Sequence, residues 1–230
     1  MSTNETNRPL RVFHKVLKGG LGKGNLGVVM SRHGTGKVAV LTSIAIDNAM
    51  KGANTLHAVF GKSVEEVRAY DDEVLHEMIE AYDLKDRAAI MTRVERHKQI
   101  YTYRSGDFSV KRLRRTLEFL NEHAQFCPEL IEIQGWPDFE KVGMDEMRAL
   151  KGIAVEFDAE IWVSAHTHRE NEVMKTTPTS VSQFDELLSV IIALEPESDH
   201  VNLRFVKTKD FQAPDVNLEF DPKTMLVRWH

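Results

Sequence analysis

Ser31-Arg32-His33-Gly34-Thr35-Gly36-Lys37-Val38 is the stretch on which the fold turns. The apolar run Leu26-Gly27-Val28-Val29-Met30 precedes it, and a second, Val38-Ala39-Val40-Leu41-Thr42-Ser43-Ile44-Ala45-Ile46, follows. The order reads as strand, glycine-bearing loop, helix. Such a turn can cradle a phosphate, because glycines let the backbone curl until its N–H groups converge on an anion. The N-terminus of the following helix adds positive potential. Lys37 is placed to reach the outer phosphates.

Working outward, 230 residues favour one domain, expected over residues 13–230 behind a flexible polar tail at 1–12. A hydrophobic fraction of 42% suffices for a sizeable core and excludes a disordered chain. A net charge of −5 and a pI of about 6.1 give no global drive toward nucleic acid. The single cysteine, Cys127, rules out an intrachain disulfide and a cysteine-based zinc cage, as expected of a reducing cytoplasm. No apolar run is long enough to span a bilayer, and the polar opening does not read as a signal peptide, so no membrane association is expected.

The units after the loop alternate. Strands are expected at 26–30, 54–60, 99–103, 130–133 and 161–165, and helices at 36–51, 63–81, 109–125 and 139–157. Residues 85–97 are charged and lack a clear period. Residues 167–181 read as a loop, and four strands follow in succession at 187–195, 201–207, 215–220 and 225–229. Alternation followed by consecutive strands implies an α/β fold: a mostly parallel central sheet flanked by helices, with antiparallel strands at the C-terminal edge.

The P-loop formula asks for Gly at its first position and Ser or Thr after the Lys. Ser31 and Val38 stand there, so the hydroxyl that would ligand Mg²⁺ is missing. The lead-in Gly19-Gly20-Leu21-Gly22-Lys23-Gly24-Asn25-Leu26, the segment Arg32-His33-Gly34-Thr35-Gly36-Lys37 and the late Val206-Lys207-Thr208-Lys209 together resemble the RecA-like P-loop ATPase core. The likeness is to its DnaB-like replicative helicase, KaiC-like and RadA-like branches, and runs from about residue 14 to the end. The resemblance implies ATP or ADP held by residues 32–38. It also implies a ring or filament in which Lys207 and Lys209 touch a neighbour's nucleotide. The family's Mg²⁺-holding Asp corresponds to Gln134, its catalytic Glu to Gly61 or Lys62, and its γ-phosphate sensor to His166. These positions and Val38 all bear on Mg²⁺ or on the attacking water, so Mg²⁺ is left without its usual protein contacts.

Each site residue also has an architectural reading. Gly34, Gly36 and Lys37 can serve a tight strand–helix turn alone, and His33 can simply be exposed on it. Glu132, Asp138 and His166 are the candidates for a catalytic base or metal contact, and Glu132 is expected to point away from the apolar side of its strand. His166 and His168 do not make a metal site, since zinc needs three or four placed ligands. Lys111, Arg112, Arg114 and Arg115 form a basic helix face, solvated or contacting nucleic acid or an acidic partner. Arg169 and Lys175 fall where the family carries DNA-contacting loops, without an aromatic residue for stacking. Trp136 is expected to cap the core. The function expected is nucleotide binding with little or no hydrolysis, in a regulatory or assembly role with a protein partner. An active DNA-dependent ATPase and a scaffold without ligand are the alternatives.

Overall fold

The apolar run before the loop becomes the centre of a nine-stranded sheet. The computed structural model describes residues 10–104, 106–166, 179–198, 200–209, 218–221, 224 and 226–229. The chain begins α1 (Arg11–Val16), β1 (Leu26–Ser31), α2 (Lys37–Met50), β2 (Thr55–Phe60), α3 (Val64–Ala81), α4 (Arg87–His97), β3 (Lys98–Tyr103). It continues α5 (Val110–Ala124), β4 (Leu130–Gln134), α6 (Met144–Glu156), β5 (Glu160–His166), α7 (Thr179–Ser182). It closes with β6 (Leu188–Pro196), β7 (Val201–Lys207), β8 (Leu218–Asp221) and β9 (Leu226–Trp229).

The strand order is β3-β2-β4-β5-β1-β6-β7-β8-β9. The first six are mutually parallel, and β7, β8 and β9 add antiparallel. The α/β class, the parallel centre and the antiparallel C-terminal edge are thus as expected. β1 lies between β5 and β6 and all six of its residues are buried, which is why it reads as an unbroken apolar run. Gly27 is required there: a Cβ would sit 2.5 Å from the ring of Trp162 on β5.

Connection direction sorts the helices. The chain steps one way along the sheet from β1 to β2 to β3, and the other way from β3 to β4, β5 and β6. With right-handed crossovers the two sets of helices fall on opposite faces. The packing agrees: Leu113, Leu117, Met147, Leu150 and Phe184 share one core with Val28, Ile131 and Val163. Phe13, Val40, Leu41 and Ile44 share the other with Val29, Trp162 and Ile192. Helices α3 and α4 pack beside α2 through Val74, Met78 and Val94 and also touch β3.

Several regions differ from expectation by more than a residue. The polar tail ends earlier than residue 12, since Leu10 is buried and α1 starts at Arg11; residues 1–9 lie outside the described residues. Residues 87–97 form a helix, α4, whose only buried residue is Val94, so no apolar stripe announced it. Helix α6 starts at Met144 and not near 139, because Phe139 packs in the core ahead of the N-cap at Gly143. The strand expected at 215–220 is described only as Leu218–Asp221. Among the described residues no helix is long and apolar enough to cross a membrane.

Candidate functional site

The loop joins the C-terminal end of β1 to α2, at the sheet edge where α/β folds gather ligands. Gly34 and Gly36 have φ of +77° and +101°, the left-handed region that favours glycine. Gly36 is the N-cap of α2, and no side chain caps that helix, so none competes for the N–H groups of its first turn. Gly36 also has an architectural duty: a Cβ would lie 2.3 Å from the Phe220 ring. Around Gly34 a Cβ would meet nothing within 4 Å.

Lys37 is buried and folded back onto its own loop. Its Nζ donates to Ser31 O (3.0 Å), Ser31 Oγ (3.0 Å) and Arg32 O (2.7 Å). The Arg32 carbonyl also accepts from Ser31 Oγ (2.8 Å) and Thr35 Oγ1 (3.2 Å). Burial among neutral oxygens lowers the Lys37 pKa to about 8. Val38 is half-buried and offers no oxygen.

Beside the loop lies a cleft of roughly 700 Å³ across the ends of β1, β4 and β5, lined by Arg32, His33, Gly135, Ser164, His166 and Lys141 among others. The His33 and His166 rings stack with centroids 5.6 Å apart and planes at 12°, so the loop and the end of β5 meet. Asp138, also in the cleft, pairs with Lys141 at 2.7 Å. Trp136 packs half-buried against the core, with Phe108 4.8 Å away.

Gln134 and Glu132 lie beneath α2. Gln134 Nε2 donates to Glu132 Oε1 (2.6 Å) and Thr42 Oγ1 (3.3 Å). Glu132 does leave the apolar side of β4, as expected, but enters a second buried layer and is 0% exposed. There its Oε2 lies 3.4 Å from His57 Nε2, while His57 Nδ1 lies 3.2 Å from Asp71 Oδ2. Lys98 Nζ reaches the same Asp71 oxygen at 2.5 Å. Burial alone would lower the His57 pKa, but the Glu132 and Asp71 carboxylates outweigh it and the net shift is upward. Burial raises Glu132 against the opposing pull of His57 and Gln134. For Asp71 burial raises, but the bonds to His57 and Lys98 win and it ends lowered.

The remaining candidates are dispersed. Lys207 Nζ donates to Asp185 O (2.6 Å) and Oδ2 (2.9 Å) of its own chain. Lys209 is exposed, with its Nζ against Gly22. Both belong to the N-terminal end of β1 and β6, opposite the loop. Of the basic run, Arg112 pairs with Asp107 at 3.3 Å and Arg114 with Glu156, while Lys111 and Arg115 are exposed. Gly61 and Lys62 are exposed at the end of β2, and Glu66 is committed to capping α3 through Ser63. Arg169, Lys175 and His168 lie outside the described residues. Among the described residues no group of three or more His, Cys, Asp or Glu is arranged to hold a metal ion. Sequence reasoning missed His57, Asp71 and Lys98; the available signal was an ionisable residue inside each of the runs Thr55–Phe60 and Leu130–Gln134.

No protein-family model matches this chain, and neither does any curated protein sequence.

Proposed function

We propose that the chain is a RecA-like P-loop protein that binds ATP or ADP weakly by the phosphates at residues 32–38, with little or no hydrolysis, in a regulatory or assembly role. The observation that carries this reading is the left-handed glycine loop feeding a helix whose first turn no side chain caps. Converging N–H groups and a lysine at that turn suit a phosphate. The lysine's present partners are neutral oxygens, which a phosphate outcompetes electrostatically.

Mg²⁺ does not fit the residues that face the loop. Val38 has no oxygen, the Gln134 amide donates to Glu132 and Thr42, and Glu132 is sealed from solvent. Asp138 is tied to Lys141. A divalent cation wants oxygen ligands, carboxylates above all. We therefore derive no metal-assisted step. The same residues support little hydrolysis, since the carboxylate candidate Glu132 cannot reach an attacking water.

The scaffold reading has its own support: Lys37 is fully satisfied within the loop and Gly36 is needed by Phe220. Two assays separate the readings. ATP turnover with single-stranded DNA should not exceed a Lys37→Ala control; turnover above it would restore the active ATPase. Thermal unfolding should shift upward with ADP or ATP, because a ligand that prefers the native state stabilises it. No shift at millimolar nucleotide would leave the scaffold.

A further inference from the structure

We propose that Lys98, Asp71, His57, Glu132, Gln134 and Thr42 form a proton-holding brace that ties helix α2, and with it the loop, to β2, β3 and β4. Its bearing on phosphate binding rests on the function proposed above; its bearing on folding does not.

The six residues come from five elements and make a continuous polar path under α2: Lys98 to Asp71, Asp71 to His57, His57 to Glu132, Glu132 to Gln134, Gln134 to Thr42. His57, Asp71 and Glu132 are each at most 1% exposed. Both His57 nitrogens face carboxylates, at 3.2 and 3.4 Å. A neutral imidazole has one N–H and one acceptor nitrogen, so with two ionised carboxylates one nitrogen would face an acceptor with nothing between them. His57 Nε2 and Glu132 Oε2 make no hydrogen bond to each other, so this link is ionic, and it is favourable only with an additional proton, carried by His57. With it the charges balance, Lys98⁺ and His57⁺ against Asp71⁻ and Glu132⁻. Without it a buried carboxylate stands uncompensated, a costly state.

The ionisable groups that act on His57 are Glu132 and Asp71, both favouring the proton, and Lys98, opposing it. Tyr70 also neighbours Glu132 and Asp71; burial pushes its hydroxyl up to about 12, so it stays neutral. Glu132 passes its charge state on through Gln134, whose amide holds Thr42 on the helix that begins at Lys37. Glu132 is thus a positioning residue, acting on the loop through Gln134 and α2.

The sign follows from where the proton is held. The one extra proton held by the His57–Glu132 pair is kept to higher pH folded than unfolded, so above about pH 6.5, the ordinary histidine value, the folded chain binds one proton more. Stability then falls with rising pH, by up to about tenfold in the folding constant per pH unit, until His57 titrates.

The test begins with the wild-type protein. Long-range ¹H–¹⁵N NMR, with His57 assigned through the backbone, should show, near pH 6.5, no His57 titration step and no ring nitrogen at the shift of a bare imidazole nitrogen. Either one overturns the brace. Denaturant unfolding of Glu132→Gln, His57→Gln and the double variant is then compared across pH. Each single change should destabilise, the double by less than their sum, and the double should lose the fall in stability above pH 6.5. Additive losses, or an unchanged pH profile in the double, contradict the proposal. Should the variants not fold, the wild-type NMR result still decides. ATP affinity at pH 6.5 and 8.5, in wild type and double variant, reports the link to the loop. Lys37 titrates in both chains, so only the difference between them counts: a steeper pH dependence in wild type is expected, and an equal one denies the link. Absence of ATP binding by wild type would instead strike the proposed function and leave the stability and NMR results to judge the brace.

Discussion

Lys37 concentrates both readings of the loop in one side chain. Its ammonium is held by three oxygens of Ser31 and Arg32, none of them charged, and burial brings its pKa to about 8. Folded, it gives up its proton well before an ordinary lysine at about 10.4, so above about pH 8 the folded chain binds fewer protons than the unfolded one. Its contribution to stability therefore improves as pH rises from about 8 toward 10.4. Phosphate binding responds in the opposite sense, because the anion needs the charged form. ATP affinity, measured calorimetrically at pH 7 and pH 9, should drop over that interval by up to about tenfold per unit above pH 8. An affinity flat across pH 7–9 would mean that Lys37 does not touch the phosphates. Lys37 and the glycines were legible from spacing alone, but the inward fold of the side chain was not. A lysine without a carboxylate partner turns to backbone carbonyls, and sequence does not display those.

Within the loop two glycines separate architecture from binding. Gly34 has φ +77° and open space around it, so Gly34→Ala costs only backbone strain, about 1 kcal/mol. For a chain of this size that lowers Tm by about 2–4 °C. Gly36 has φ +101° and the Phe220 ring 2.3 Å from its added Cβ, so strain and overpacking add to about 2–5 kcal/mol. Melting curves and ATP titrations of both variants should show Gly34→Ala nearly as stable as wild type yet impaired in binding, and Gly36→Ala far less stable. Equal ATP affinity in Gly34→Ala and wild type would give the loop to architecture. Other elements show what sequence carries. β1 announced itself because both its faces are covered. Helix α4 did not: with Val94 as its sole buried residue it is fixed by its N-cap Asp86 and by neighbours, not by an apolar period. The start of α6 was misplaced because Phe139 belongs to the core without belonging to the helix.

Across the whole molecule, chemistry is divided between the two ends of the sheet and the layer beneath α2. The loop, His33, His166 and the adjoining cleft occupy the C-terminal end of β1, while Lys207 and Lys209 belong to the opposite end. In one copy these lysines cannot serve their own loop. The parallel order and the antiparallel edge were readable from the rhythm of strands and helices. The buried chain from Lys98 to Thr42 was not, since its members come from separate elements that only the sheet order brings together. On the proposed reading the loop is the place where function is decided, as a phosphate cradle without a metal. The most direct test is equilibrium binding of a fluorescent ATP analogue, with Mg²⁺ and with chelator, to wild type and to Lys37→Ala. Saturable binding that survives chelation and is lost in Lys37→Ala is the predicted result. Binding that requires Mg²⁺, binding unchanged in Lys37→Ala, or none of ATP or ADP at millimolar concentration would contradict it.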